Sequence, residues 1–392
     1  MKNSTRPKLL FVVTEDWYFV SHRLPLALGA LAAGMDVAIA TNVGVHGEAL
    51  RRLGLEVHPW KLRRGSTSLV SEAAALFDLW KIYRRVRPDI GHHVAIKPVL
   101  YGSLAARFSG TRKVVNALGG MGALFSEESR GSLLRSAVLE GFRRLLGHRG
   151  SVLILQNPDD QQLMMRSARI GEESIRLIRG AGVNVNTFYP APPPEGLPVV
   201  VLPARMLADK GVGEFVEAAR MLKARGIAAR FVLVGGTDEC NPANIPAEQL
   251  ASWVAAGDVE WLGRREDMPA VLMSSTLVCL PSYREGLPKA LLEAAACGRA
   301  IVSTDVPGCR EIVRHGENGL LVPAKDATAL ADALQTLLCD VALRERMGRR
   351  GREMVLNEFS EDSVVRQTLA IYRSLLPAVV QEDPSCVGRP SS

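Results

Sequence analysis

The chain alternates short apolar stretches with longer amphipathic ones. Residues 8–14, 36–41, 55–58, 90–92, 113–117 and 152–156 read as strands. Between them, residues 20–33, 46–53, 69–86, 99–108, 133–146 and 158–168 repeat apolar side chains every three or four positions, the spacing of one helix face. A second series follows, with strands predicted at 199–203, 230–234, 259–262, 277–280 and 300–304. Its helices fall at 212–225 and 288–297, with three more between 328 and 376. Strands alternating with helices of this length predict parallel, doubly wound α/β sheets. The proline-rich stretch 189–198, Tyr-Pro-Ala-Pro-Pro-Pro-Glu-Gly-Leu-Pro, is a semi-rigid linker and divides the chain into domains at 1–188 and 199–360. Residues 361–378 read as a helix returning to the first domain, and 379–392 as a polar, disordered tail. Two open sheets in tandem predict a ligand cleft at the carboxyl ends of their strands.

Composition narrows the class. At 392 residues and 47% hydrophobic, the chain has enough apolar content for two full cores. Its six cysteines all lie in the second half without a CxxC pair, which predicts reduced thiols in the cytoplasm rather than a disulfide framework or zinc site. The apolar run near the N-terminus is too short for a signal peptide, and the longest uncharged stretch, 268–283, contains two prolines and does not reach a membrane span. Charge is unevenly divided. Residues 1–190 carry 26 Lys and Arg against 15 Asp and Glu, whereas 191–392 carry 22 against 26. A nucleic-acid binder would not confine its basic charge to one half, so the first domain is expected to face a phosphate-bearing substrate or an anionic lipid surface.

Several chemistries are absent from the sequence. The first strand-to-helix turn, Thr14-Glu-Asp-Trp-Tyr18, has no GxGxxG fingerprint, and neither a Walker A loop nor a GxSxG elbow occurs. The informative segment is Pro281-Ser-Tyr-Arg-Glu-Gly-Leu-Pro-Lys-Ala-Leu-Leu-Glu293. Pro288 suits the first position of a helix whose N-terminus offers free amides to an anion. Glu285 and Glu293 would stand roughly 10–12 Å apart at helical rise. A carboxylate pair acting on one glycosidic bond needs about 5–9.5 Å, so they suit hydroxyls on two different sugars of a nucleotide-sugar. Upstream, Arg205 and Lys210 share one strand-to-helix loop and offer a planar fork and a point charge to a diphosphate. No DxD triplet occurs, so no metal is expected and the two cations are expected to neutralise the departing nucleoside diphosphate.

Arg205-x4-Lys210-Gly followed by Glu285-x7-Glu293 on two α/β domains resembles the retaining glycosyltransferases of family 4, with the two-domain GT-B fold. The resemblance spans nearly the whole chain. It implies that Arg205 and Lys210 contact the diphosphate of a UDP-sugar donor, Glu285 the hexose and Glu293 the ribose. Gly286 and Leu287 would complete the donor site, and Leu262-Gly263-Arg264 would meet the base. It makes 199–360 the nucleotide-sugar domain and 1–188 the acceptor domain. Residues 92–103 and 115–125 are similar to the bacterial enzymes that extend undecaprenyl-diphosphate-linked sugars, often with N-acetylhexosamines. That implies a lipid-linked sugar acceptor and a peripheral position on the cytoplasmic face of the inner membrane. Many family members place a His where this chain has Asn116-Ala-Leu-Gly119, so the acceptor-side candidates are Asp16, His22, His92, His93 and Gly119. Three alternatives remain on the sequence: a UDP-N-acetylglucosamine 2-epimerase of the same architecture, a glycosyltransferase with a soluble acceptor, and a non-catalytic nucleotide-sugar binder. The helix predicted at 133–146 is amphipathic and basic, suited either to a membrane surface or to covering the sheet.

Overall fold

The computed structural model describes residues 6–62, 68–120, 132–192, 195–239 and 241–376. The chain divides into two compact units. The first comprises the described residues of Met1–Leu155, Gln161–Ile178 and Val365–Ser392, and the second Gln156–Asp160 and Arg179–Val364.

In the first unit β1 (Lys8–Glu15), β2 (Asp36–Asn42), β3 (Glu56–Pro59), β4 (Ile90–Val94), β5 (Val114–Ala117), β6 (Ser151–Leu155) and β7 (Ile175–Leu177) form one parallel sheet in the order β3-β2-β1-β4-β5-β6-β7. Its centre is covered on both faces, and every residue of β4 and β5 is buried. That is why these strands show no apolar–polar alternation, and why the polar His92, His93 and Asn116 within them find hydrogen-bond partners inside. The order reverses between β1 and β4, which pair from Leu9↔Ile90 to Val12↔His93. Such a switch opens a crevice beyond the strands' carboxyl ends.

In the second unit β8 (Val199–Pro203), β9 (Arg230–Val234), β10 (Glu260–Trp261), β11 (Leu277–Leu280), β12 (Ala300–Thr304) and β13 (Gly319–Val322) form a parallel sheet in the order β10-β9-β8-β11-β12-β13. Here the switch lies between β8 and β11, paired through Val201↔Val278. Leu202, Phe215, Leu233, Val302 and Leu334 belong to one buried cluster on this sheet.

The structure departs from the sequence pattern in a few places. The helix expected over 20–33 is two helices, Asp16–His22 and Leu24–Ala32, with Arg23 outside the helical region at φ −130°. Pro25 has no N–H to continue the first helix and crowds its preceding turn. Pro288 stands one position before the helix Lys289–Ala296, as its extended cap at ψ 110°. β7, β13 and the helices Ala247–Ala255 and Met268–Met273 carry too short an apolar pattern to be read. No helix among the described residues is long and apolar enough to cross a membrane. Cys279, Cys297, Cys309 and Cys339 are free thiols. The tail 379–392, the stretch 121–125, and Arg63 and Arg64 lie outside the described residues.

Candidate active site

The second unit gathers its chemistry at the β8/β11 switch. Beyond β8 the chain makes a short turn, Ala208–Lys210, and enters the helix Val212–Ala224 through Gly211 at φ +71°. A Cβ at Gly211 would lie 2.1 Å from the Pro281 carbonyl oxygen, so glycine lets the β8 loop pack directly on the β11 loop. That contact brings Lys210 to Glu285. The ammonium donates to Glu285 Oε1 at 2.6 Å, and the Ser282 hydroxyl donates to the same oxygen at 2.8 Å. The two charged side chains are only 18% and 14% exposed, so their attraction is weakly screened.

Neighbouring strands fix the β11 loop. The Thr304 hydroxyl donates to the Ser282 carbonyl, and the Ser303 hydroxyl to the Leu280 carbonyl at 2.7 Å. The Tyr283 N–H donates to the Asp209 carbonyl at 2.9 Å, and its hydroxyl to Glu214 at 2.5 Å. Gly308 packs so closely that a Cβ there would stand 2.4 Å from the Gly286 carbonyl oxygen. Among the described residues the N–H groups of Gly286 and Leu287 have no acceptor, although the loop around them is held on both sides. Two unengaged amides beside an ammonium form a receptor for a bound anion.

The remaining donor-side candidates lie around this centre. Arg205, half exposed, pairs with Asp238 at 2.5 Å. Arg264 is exposed and packs its Cβ beside Gly236. The Gly263 carbonyl accepts from the Gly235 N–H at 2.8 Å, tying the ends of β9 and β10 together. Leu287 packs against Gly180. Glu293 faces Lys289 at 3.7 Å. Burial pushes its carboxyl up to about 7, against the pull of Lys289 and with a further push from Glu361. Asp160 is likewise pushed up to about 6, chiefly by burial.

The acceptor-side candidates divide. His92 and His93 are buried in β4, which is covered on both faces, and do not stand at an open strand end. His93 donates from Nδ1 to Asn116 Oδ1 at 2.6 Å and accepts from the Tyr83 hydroxyl at Nε2, also at 2.6 Å. His92 Nδ1 is hydrogen-bonded to the Tyr372 hydroxyl at 2.5 Å. Burial lowers both imidazoles, His93 to about 4, so they are neutral structural groups at pH 7. Asp16 is buried, and its Oδ2 accepts the N–H groups of Gly44 and His46 at 2.7 and 3.0 Å, fixing the loop after β2. His22 stacks on Tyr18 with ring centroids 4.3 Å apart. Tyr18 and Gly119 line a cavity of about 320 Å³ with Thr14, Ile96 and Lys97, at the β1/β4 switch. Ala95, also on its wall, holds φ +81°, a conformation that strains a residue with a Cβ.

Residues 8–145 match the family model described as Glycosyl transferase 4-like, and residues 197–340 match Glycosyl transferases group 1. The chain belongs to these glycosyltransferases. It is 29% identical to the N,N'-diacetylbacillosaminyl-diphospho-undecaprenol alpha-1,3-N-acetylgalactosaminyltransferase of Campylobacter jejuni, over 91% of this chain and 96% of that one. It is 27% identical to the putative glycosyltransferase EpsD of Bacillus subtilis, over 96% and 98%. The crystal structure of Anabaena HepE with UDP and glucose superposes with a TM-score of 0.75 at 18% identity, covering 94% of this chain and 100% of that one. The fold is GT-B. Family models and relatives are transferases, so the epimerase alternative is not favoured.

Three residues around this loop carried no role in the sequence: Ser282, within the quoted segment, and Asn157 and Asp160, far upstream of it. Ser282, Asn157 and Asp160 all touch the loop or its supports, and Asn157 is almost fully buried. Asn157-Pro-Asp-Asp after a strand signals a helix start. Nothing local in it names Gly286 as a partner.

Proposed function

We propose that the enzyme moves an N-acetylhexosamine from a UDP-sugar to a sugar carried on undecaprenyl diphosphate, with retention at the anomeric carbon and without a metal, in assembly of a bacterial surface glycan. The observation that carries this reading is the Lys210–Glu285 pair beside two unengaged amides at the β8/β11 switch. Negative charge grows on the diphosphate as the anomeric C–O bond breaks. Lys210, the Gly286 and Leu287 amides and, after leaving Asp238, Arg205 supply the fixed positive ends that stabilise it. Glu285, released from Lys210 by the diphosphate, holds the donor hexose, and Glu293 the ribose. Arg264 and the Gly263 backbone border the base. The acceptor hydroxyl oxygen then bonds the anomeric carbon on the face UDP leaves, and its proton passes to the departing diphosphate oxygen.

The cavity at the β1/β4 switch, with Asp16 shaping its neighbouring loop, suits the acceptor. The name of the Campylobacter relative supports a lipid-linked acceptor. An acceptor anchored in lipid calls for a protein that works at the cytoplasmic membrane surface. The helix Leu133–Leu146 serves the sheet through buried Val138, Phe142 and Leu146, while Leu133 and Leu134 of its first turn stay exposed. That leaves an apolar tip on a strongly basic half, the combination that favours an anionic leaflet.

The test is incubation with a panel of UDP-sugars and an undecaprenyl-diphosphate-linked saccharide. Release of UDP together with a product heavier by one N-acetylhexosamine is expected. Formation of an epimer without UDP, or transfer only to soluble acceptors, would overturn the proposal.

A further inference from the structure

The five residues after β6, Gln156–Asp160, belong to the second unit. Within them, Asn157 is almost entirely buried and uses both ends of its amide. Its Oδ1 accepts the Asp160 N–H at 2.8 Å, capping the helix Pro158–Leu163. Its Nδ2 donates to the Asp160 carboxylate at 3.0 Å and to the Gly286 carbonyl at 3.1 Å. Asp160 therefore fixes which end of the amide is which: a flipped Asn157 would place an oxygen against the Asp160 carboxylate and against the Gly286 carbonyl.

The partner atom matters because the peptide bond is planar and trans. The Gly286 carbonyl and the Leu287 N–H belong to one rigid plane and point in opposite directions. Pinning the carbonyl on one side aims the N–H to the other. Glycine at 286 leaves that plane free to rotate, and Gly308 packed against the carbonyl restricts but does not bond it. The Leu287 N–H has no acceptor among the described residues, so its direction is not set from its own end.

We infer that Asn157 is a positioning residue of the donor site, holding the Gly286–Leu287 peptide so that the Leu287 N–H faces the donor diphosphate. The inference rests on the reading that the diphosphate binds at this loop. Asn157 touches neither donor nor acceptor; it acts through the peptide. Without it the plane samples orientations that turn a carbonyl oxygen toward the phosphate, and the anion meets repulsion in place of a hydrogen bond.

The test compares the full-length protein with Asn157→Ser and Lys210→Ala, reading UDP binding by calorimetry, steady-state kinetics and thermal unfolding. Serine still caps the helix but does not reach Gly286. Asn157→Ser is expected to bind UDP five- to twentyfold more weakly and to raise KM for the UDP-sugar by a similar factor, with KM for the acceptor and the melting temperature close to wild type. A residue that only capped a helix would leave the donor KM unmoved. Should the serine variant fail to fold, Asn157→Asp is read in its place: it caps as well as asparagine but turns an oxygen toward Gly286, and the same loss is expected. Weaker UDP binding in Lys210→Ala with wild-type binding in the Asn157 variant overturns this inference and leaves the donor-site reading standing. Unchanged binding in both overturns the donor-site reading and this inference with it.

Discussion

Replacing Lys210 with alanine separates what the cation does for the fold from what it does for the donor. In the free enzyme its ammonium sits 2.6 Å from Glu285, with the two side chains 18% and 14% exposed. Truncation leaves Glu285 with the Ser282 hydroxyl at 2.8 Å and, among the described residues, no cation in contact. Exposed pairs are worth about 0–1 kcal/mol and breaking a fully buried one costs about 3–5, so a largely buried pair should cost about 1–3 kcal/mol of stability. For a unit of this size that lowers the melting temperature by about 2–12 °C, at about 2–4 °C per kcal/mol. The donor loses a charge-assisted hydrogen bond worth about 1.5–3 kcal/mol, which weakens UDP binding by about 10- to 150-fold. The unpaired Glu285 adds repulsion in the same direction. Two companion variants isolate these effects. Lys210→Ala/Glu285→Gln should regain most of the lost melting temperature, because no carboxylate remains stranded, yet recover only the repulsive part of the affinity. Glu285→Gln alone should bind UDP at least as tightly as wild type, because Lys210 no longer has to leave a carboxylate, while losing turnover because the hexose loses its acceptor group. Calorimetric titration with UDP, alongside thermal unfolding, reads all of these. UDP binding within threefold of wild type in a folded Lys210→Ala protein would refute the assignment.

Three further outcomes are expected. The Glu293 carboxyl stands at about 7, above its ordinary value, so its contribution to stability is full below about 4.5 and is lost as pH rises through 7. Ribose hydroxyls donating to it favour the charged form, so UDP binding should release protons near pH 6.5 and tighten with pH up to about 7. Calorimetry in two buffers of different ionisation enthalpy measures that release, and the difference from Glu293→Gln separates it from titration of UDP's own terminal phosphate; no difference would refute the ribose role. Turnover should persist in EDTA, and a rate that collapses and returns with Mn²⁺ would show that a metal, not Arg205 and Lys210, neutralises the diphosphate. The protein should sediment with anionic but not neutral vesicles at low salt and release at high salt; protein that stays in the supernatant with anionic vesicles would refute peripheral attachment.

By itself the sequence determined the class of fold and singled out the charged groups proposed for the donor site. Apolar periodicity is a local signal, and it marked β8, β9, β11 and β12 with the bounds the structure has. Arg205, Lys210, Glu285 and Glu293 were legible as candidates because a strand-to-helix loop and a helix start leave a short-range pattern of charge, glycine and proline. Strand order is not local. Only packing helices on both faces of each sheet brought β8 beside β11, and with it Lys210 onto a carboxylate 75 positions away. The same packing gave Arg205 a carboxylate partner, Asp238, 33 positions away. His92 and His93 show the limit most plainly. Adjacent residues of a strand point to opposite faces, and a sequence cannot tell whether both faces are covered. In β4 both are, so two histidines that read as acceptor-side candidates became buried hydrogen-bonding groups. Asn157 carries the converse lesson: its neighbours announce a helix cap, and only the tertiary fold hands its other amide end to Gly286.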